Sequence, residues 1–190
     1  MNPKNISKIF QIVFLLSFFY FPPVIPRTWG EELTTLNEAL EDIFPGADQT
    51  EKKIITLTND QLHTLQDQTN APVNPQYDHA ILMYTLKRDN QLMGYALENT
   101  VQGKWGPIHF LLGLNPSGKI VNTVVISYEE KRGRPIAKPR FLSQFVGKSI
   151  ENPVRLKKDI NGITGATISS RGITDGIRKL LAVFEGFHKL

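Results

Sequence analysis

The chain has no cysteine among its 190 residues. That absence excludes disulfides, thiolate nucleophiles and cysteine-ligated zinc or iron–sulfur centres, and it is compatible with an oxidising compartment. The histidines do not compensate. His63, His79, His109 and His188 are scattered without metal-ligand spacing, so no metal site is expected. No Gly-x-Gly-x-x-Gly opens a helix. Gly147-Lys148-Ser149 does not complete a nucleotide-binding loop either, because Leu142 stands where the phosphate-cradling glycine belongs. Gly-x-Ser-x-Gly and Ser-x-x-Lys arrangements are missing, which leaves acyl transfer without a nucleophile. Charge of one sign is also scarce. The formal net charge is +4, but the first thirty residues hold Lys4, Lys8 and Arg27, and the remainder carries 19 Lys/Arg against 18 Asp/Glu. A nearly neutral body does not suggest a nucleic-acid partner.

The longest apolar stretch, Ile9 to Phe21, is thirteen residues interrupted by Gln11 and Ser17. As a helix it rises only about 20 Å, too short for a comfortable bilayer crossing. Lys4 and Lys8 precede it, and Pro22, Pro23 and Pro26 end it. A positive start, a short apolar core and a terminating turn are the order of an export signal. Thr28 and Gly30 permit cleavage before Glu31, although the Ala-x-Ala form is absent. An uncleaved membrane anchor through residues 9–21 and a buried core helix are the alternatives. The division expected is 1–30 as signal peptide or anchor, 31–79 as a helix-strand-helix lead-in, and 80–190 as the main domain.

With 41 % hydrophobic residues the chain can bury one sizeable core. The lead-in predicts a peripheral helix over Glu32 to Ile43, striped by Leu33, Leu36, Leu40 and Ile43 and stopped by Pro45-Gly46. A strand over Lys53 to Thr58 follows, then a helix holding Leu62 and Leu65, then a loop from Asp67 to Gln76. Four strands come next: Ala80 to Leu86, Leu92 to Leu97, Ile108 to Leu114 and Ile120 to Ser127. Asn115-Pro116-Ser117-Gly118-Lys119 has turn chemistry, and such short connections favour antiparallel over parallel pairing, which needs long crossovers. The fold class expected is α+β, a single domain whose antiparallel sheet is packed by helices, one of them C-terminal. Phe141, Leu142, Phe145 and Val146 predict a short helix returning to the core.

The chemistry concentrates in Asn161-Gly162-Ile163-Thr164-Gly165-Ala166-Thr167-Ile168-Ser169-Ser170. Thr164, Thr167, Ser169 and Ser170 supply four hydroxyls in seven positions, and Gly165 and Ala166 leave the main chain open to a bulky group. Ser169 or Ser170 is suited to cap a helix through Ile173, Ile177, Leu180, Leu181 and Phe184. Such a helix start favours an anion such as phosphate, while a tight turn feeding the helix is the plainer alternative. Glu129 and Glu130 read as acid–base candidates or as a solvated charge run. Trp105 and Tyr128 read as stacking platforms or as packing residues. Arg132, Arg134 and Lys138 read as solvated surface or as contacts to a phosphate or an acidic redox partner.

The segment Thr164-Gly165-Ala166-Thr167 followed by Ile168-Ser169-Ser170 resembles the flavin-attachment motif of the FMN-binding domain. That domain is found in the G subunit of Rnf-type complexes, the C subunit of sodium-pumping NADH:quinone reductase and regulators of nitrous-oxide reductase. Gly106-Pro107-Ile108, Leu112 to Ile120, Glu130 to Gly133 and Phe141 to Lys148 resemble the family in the same order, over roughly Ala80 to Leu181. Phe44-Pro45-Gly46-Ala47 resembles the lead-in of its small exported members. The resemblance implies FMN as cofactor, joined through its phosphate to Thr167 by a separate flavin transferase outside the cytoplasm. It implies an electron carrier more than a stand-alone enzyme, located in the periplasm or another extracytoplasmic space and working with membrane or periplasmic redox proteins. Glu130 and Gly133 carry over as flavin-pocket neighbours. Two departures stand out: Asn161 occupies the position usually acidic, with Asp159 two residues before it, and the Glu130-Lys131-Arg132-Gly133-Arg134 loop differs from the Rnf-like pattern. An FMN-dependent reductase of a small acceptor, and a non-flavin binding or sensory module, are the alternative readings.

Overall fold

A computed structural model describes residues 31–129 and 134–188. The expected signal or anchor, and Glu130 and Gly133, lie outside the described residues. Six strands form one antiparallel sheet: β1 (Glu31–Glu32), β2 (Gln49–Thr56), β3 (Ala80–Arg88), β4 (Gln91–Gln102), β5 (Pro107–Leu114) and β6 (Ile120–Tyr128), in the order β1-β6-β5-β4-β3-β2. The α+β reading holds. The β3–β4 hairpin turns through Asp89 and Asn90 alone, both at positive φ (49° and 61°), the conformation of a tight two-residue hairpin loop.

Side chains alternate across the sheet, so each face has its own cover. Ile108, Phe110, Leu112 and Leu114 of β5 point to one face, where they meet Ile173, Ile177, Leu180 and Phe184 of α5 (Thr167–His188). Leu111 of β5 and Ile126 of β6 point to the other, against Ala39, Ile43 and Phe44. Those residues lie on and just after α1 (Leu36–Ile43), which therefore closes the second face instead of lying at the periphery as expected; Ala39 is fully buried. The helix also starts later than Glu32. Thr35 accepts from the Glu38 N–H while the Glu38 carboxylate accepts from the Thr35 N–H, a reciprocal cap that sets the first turn. Glu31 and Glu32 pair with β6 instead, and Leu33 is exposed.

The rest of the lead-in also differs from expectation. β2 starts at Gln49, earlier than Lys53, and pairs with β3 along its whole length. The expected loop from Asp67 is helical at both ends: α2 (Asn59–Thr69) ends at left-handed Asn70, and α3 (Pro75–Asp78) follows. Asp78 is fully buried and accepts from Lys179 Nζ of α5 at 2.5 Å, from the Asn74 N–H at 2.7 Å and from Asn99 Nδ2 of β4 at 3.3 Å. Beyond the sheet, α4 (Pro139–Leu142) and a 3-10 turn at Ser143–Phe145 bury Phe141, Leu142 and Phe145; Val146, expected on the same apolar face, is exposed. Among the described residues no helix is long and apolar enough to cross a membrane.

Candidate functional site

The hydroxyl-rich segment is a folded approach to α5, held from three sides. Asp159 accepts from the N–H groups of Val154 (3.1 Å) and Arg155 (2.8 Å) and from Lys148 Nζ (3.0 Å). Partial burial pushes its carboxyl up, but these hydrogen bonds outweigh it and hold it below the ordinary range. The carboxylate nearest Asn161 in sequence is thus occupied in closing the preceding turn. Lys148, placed in sequence like a phosphate-binding lysine, is its partner.

Gln144 grips Asn161 by its backbone: Oε1 accepts from the Asn161 N–H at 2.8 Å, and Nε2 donates to the Asn161 carbonyl at 3.2 Å. Two residues on, the Ile163 N–H donates to Ser170 Oγ at 3.1 Å. The Ala166 N–H returns to the Ile163 carbonyl at 3.0 Å, a turn that takes Gly165 to φ +81°. A side chain there would be strained in the left-handed region, although nothing lies within 4 Å of an added Cβ.

The outcome is a division among the six small residues. Thr164, Gly165 and Thr167 are exposed, Ala166 is buried beneath them, and Ser169 and Ser170 are completely buried. Neither serine is the expected helix cap, because α5 begins at Thr167 and both fall inside its first turn. They join loops instead: Ser170 holds Ile163, and Ser169 Oγ accepts from the Lys104 N–H at 3.4 Å. Thr167 opens the helix with an exposed side chain, where the first amides have no acceptor within the helix. Ile168, expected beside it at the site, is exposed as well.

Two clefts flank the ridge Gly162-Ile163-Thr164. One, of about 670 Å³, is lined by Asn70, Pro72, Arg155, Lys157, Thr167 and Arg171 among others. The other, of about 480 Å³, is lined by Pro135, Lys138, Arg140, Phe141, Gln144 and Asn161. The β4–β5 turn closes a third side. Lys104 bonds Ser169, and neighbouring Trp105 is 53 % exposed with Lys104 Nζ 5.1 Å from its ring centre. Glu129 packs over Gly106, where a Cβ would come within 2.5 Å of it, so the chain leaves β6 beside this turn and re-enters the described structure at Arg134. Tyr128, the other aromatic candidate, is buried in the core.

The structure brings Thr164, Gly165, Thr167 and Ile168 together at the surface, with Ala166, Ser169 and Ser170 beneath. Asn70, Pro72, Gln144, Arg155, Lys157 and Arg171 were not singled out from the residues. Gln144 lay in a family-like stretch, but nothing local marks Asn70 and Pro72, which arrive from the lead-in. Arg178 and Lys179 bring them: Arg178 donates to the carbonyls of Thr69 (2.7 Å), Val154 (2.7 Å) and Asn70 (3.4 Å) and to Asp175 (2.8 Å), and Lys179 Nζ donates to the Pro72 carbonyl (3.2 Å). On the opposite sheet face, Glu98 bridges Tyr84 Oη (2.7 Å) and His109 Nε2 (2.8 Å). Burial pushes its carboxyl up, but those hydrogen bonds and the electrostatic influence of His109 and Lys52 bring it below its ordinary range. No group of three or more metal-ligating side chains occurs among the described residues.

Residues 103–182 match the family model of the FMN-binding domain. The chain is 26 % identical over 137 residues to the G subunit of the proton-translocating ferredoxin:NAD(+) oxidoreductase complex of Clostridium ljungdahlii, covering 67 % of this chain and 72 % of that one. It is 26 % identical over 117 residues to the G subunit of the Na(+)-translocating ferredoxin:NAD(+) oxidoreductase complex of Acetobacterium woodii, covering 56 % of each. It is 27 % identical over 113 residues to the G subunit of an ion-translocating oxidoreductase complex of Vibrio vulnificus, covering 53 % and 54 %. The chain thus spans little more than half the length of the last two.

Proposed function

Since residues 103–182 belong to the FMN-binding domain family, we propose that this chain is an exported electron-transfer flavoprotein. Its FMN is joined through the phosphate to the Thr167 hydroxyl, and it relays electrons between redox partners of the cell envelope. The observation that carries the reading is the exposed Thr167 side chain at the first position of α5, on a backbone kept open by Gly165 and Ala166.

The residues present fit the group. A phosphodiester on Thr167 would sit at the start of α5, where the helix dipole favours an anion, and Arg155, Lys157 and Arg171 of the adjoining cleft would offset its charge. The clefts have the size of small-molecule sites. Thr164 offers a second hydroxyl on the same wall, and Gln144 fixes the segment from behind. Glu130 and Gly133, outside the described residues, are assigned to the flavin's surroundings by their match to the family motif alone. FMN supplies the one- and two-electron chemistry, while the protein supplies attachment, orientation and control of access. Covalent attachment suits an exported carrier, because it prevents loss of the cofactor where free FMN is scarce. The maturation partner is a flavin transferase, and the leader in residues 1–30 supports the extracytoplasmic location.

Co-expression with a flavin transferase tests this. Intact mass and in-gel fluorescence after denaturation should show one FMN adduct on the wild type and none on Thr167→Ala. An adduct that persists in Thr167→Ala, or no adduct on the wild type, refutes the linkage.

A further inference from the structure

The charges of this chain are segregated. Residues 134–188 carry ten Lys/Arg against four Asp/Glu, whereas residues 31–129 carry six against thirteen. The division reappears in space around Thr167. Arg155, Lys157 and Arg171 line one cleft, Lys138 and Arg140 line the other, and all five are exposed. Among the described residues the first lining holds one carboxylate, Asp175, bonded to Arg178 at 2.8 Å, and the second holds none. Asp159, behind the ridge, is bonded to Lys148. Among the described residues none of the five cations is ion-paired.

We infer that these five cations form a docking surface for a redox protein with a carboxylate-rich face, which seats on the rim of the two clefts beside Thr167. The inference rests on the flavin reading, since a partner gains by approaching this corner only if the redox group is there. An uneven charge distribution orients an approaching partner and raises its encounter rate by about 10- to 1,000-fold at low ionic strength. Exposed charges on a concave rim suit a brief contact, which electron exchange needs, better than an apolar seal does. The redox premise also separates a protein partner from an anionic bilayer, which has the charge but no electron to exchange.

The test uses the full chain, flavin-loaded by the transferase and reduced with dithionite. It is mixed in stopped flow with native cytochrome c, which is basic, or with the same cytochrome succinylated on its lysines, which is acidic. The acidic acceptor should be reduced at least about 10-fold faster per flavin at low salt, and the advantage should vanish as salt rises past about 0.2 M. Lys157→Glu/Arg171→Glu and Lys138→Glu/Arg140→Glu should each abolish or invert the preference. Lys53→Glu/Lys119→Glu makes the same change of charge at the far end of α5, where Lys53 lies over Phe187 and Gly118 beside Phe184. It should preserve the preference.

Equal rates for the two acceptors, or rates indifferent to salt, overturn the docking surface while the yellow colour of the sample leaves the flavin reading standing. Colourless protein overturns the flavin reading instead. In that case calorimetric binding of the two cytochromes to the flavin-free chain decides the docking question, and equal affinities overturn it. Cosedimentation with phosphatidylglycerol vesicles that the same double substitutions abolish, without preference for the succinylated cytochrome, overturns the protein partner in favour of a lipid surface.

Discussion

Replacing Lys179 by methionine removes one charge from the deepest polar contact between α5 and the lead-in while keeping most of the apolar stem. Asp78 is fully buried, and Lys179 is almost so. Without the ammonium at 2.5 Å the carboxylate keeps two neutral donors, the Asn74 N–H and Asn99 Nδ2. Breaking a buried pair by deleting one partner costs about 3–5 kcal/mol, because the remaining charge stays desolvated without compensation. Domains of this size have about 5–15 kcal/mol in total, so urea unfolding should show a midpoint lowered by more than about 1 M. Lys179 Nζ also donates to the Pro72 carbonyl at 3.2 Å, and Pro72 lines the cleft beside Thr167. Amide exchange over residues 70–78 should therefore accelerate. Asp78→Asn/Lys179→Met leaves no buried charge and should recover at least about 2 kcal/mol relative to the single variant. A single variant within about 1 kcal/mol of wild type, or a double variant no more stable than the single, refutes the account of the pair as the clamp on this wall.

Gly172→Ala should destabilise by about 1–2 kcal/mol despite its better helix propensity, because its Cβ would lie 2.7 Å from the Gln102 carbonyl oxygen, which cannot rotate away; thermal unfolding checks this. Glu98 ionises more readily in the folded chain than in the unfolded one. Its stabilisation is therefore complete above its ordinary value near 4.5 and is lost as pH falls through the lower folded value. Glu98→Gln should flatten that part of the acid limb in denaturant titrations against pH. Burial and the Glu98 carboxylate raise the Tyr84 phenol, so ultraviolet titration should show one tyrosine ionising late, and less late in Glu98→Gln. Asn161→Asp restores the acidic residue usual in the family motif without touching the Gln144 bonds, which reach only the Asn161 backbone. It should speed flavin loading by the transferase, measured as adduct mass against time; an unchanged rate would show that a carboxylate there is not needed.

The strands from Ala80 onward, the short turns between them and the apolar stripe of α5 were legible because each depends on local periodicity and turn chemistry. So was the hydroxyl-rich segment before α5, since the glycine that its turn takes to φ +81° is visible as Gly165 itself. What the residues could not show is where each hydroxyl ends up. Thr167 and Ser170 have the same donor and acceptor chemistry, yet Ser170 is sealed against Ile163 and Thr167 faces out, because the turn at Gly165 sets the phase at which α5 begins. Nor could sequence bring Asn70 and Pro72 to the cleft, or turn α1 from an expected appendage into the cover of a second sheet face. The first of those placements depends on Arg178, Lys179 and Asp78 meeting across more than a hundred residues of chain. The sequence by itself determined the sheet, the terminal helix and the chemistry available at its start. Tertiary structure decided which hydroxyl is offered to a ligand and which cations surround it, because burial and charge proximity are properties of packed surfaces and not of neighbouring letters.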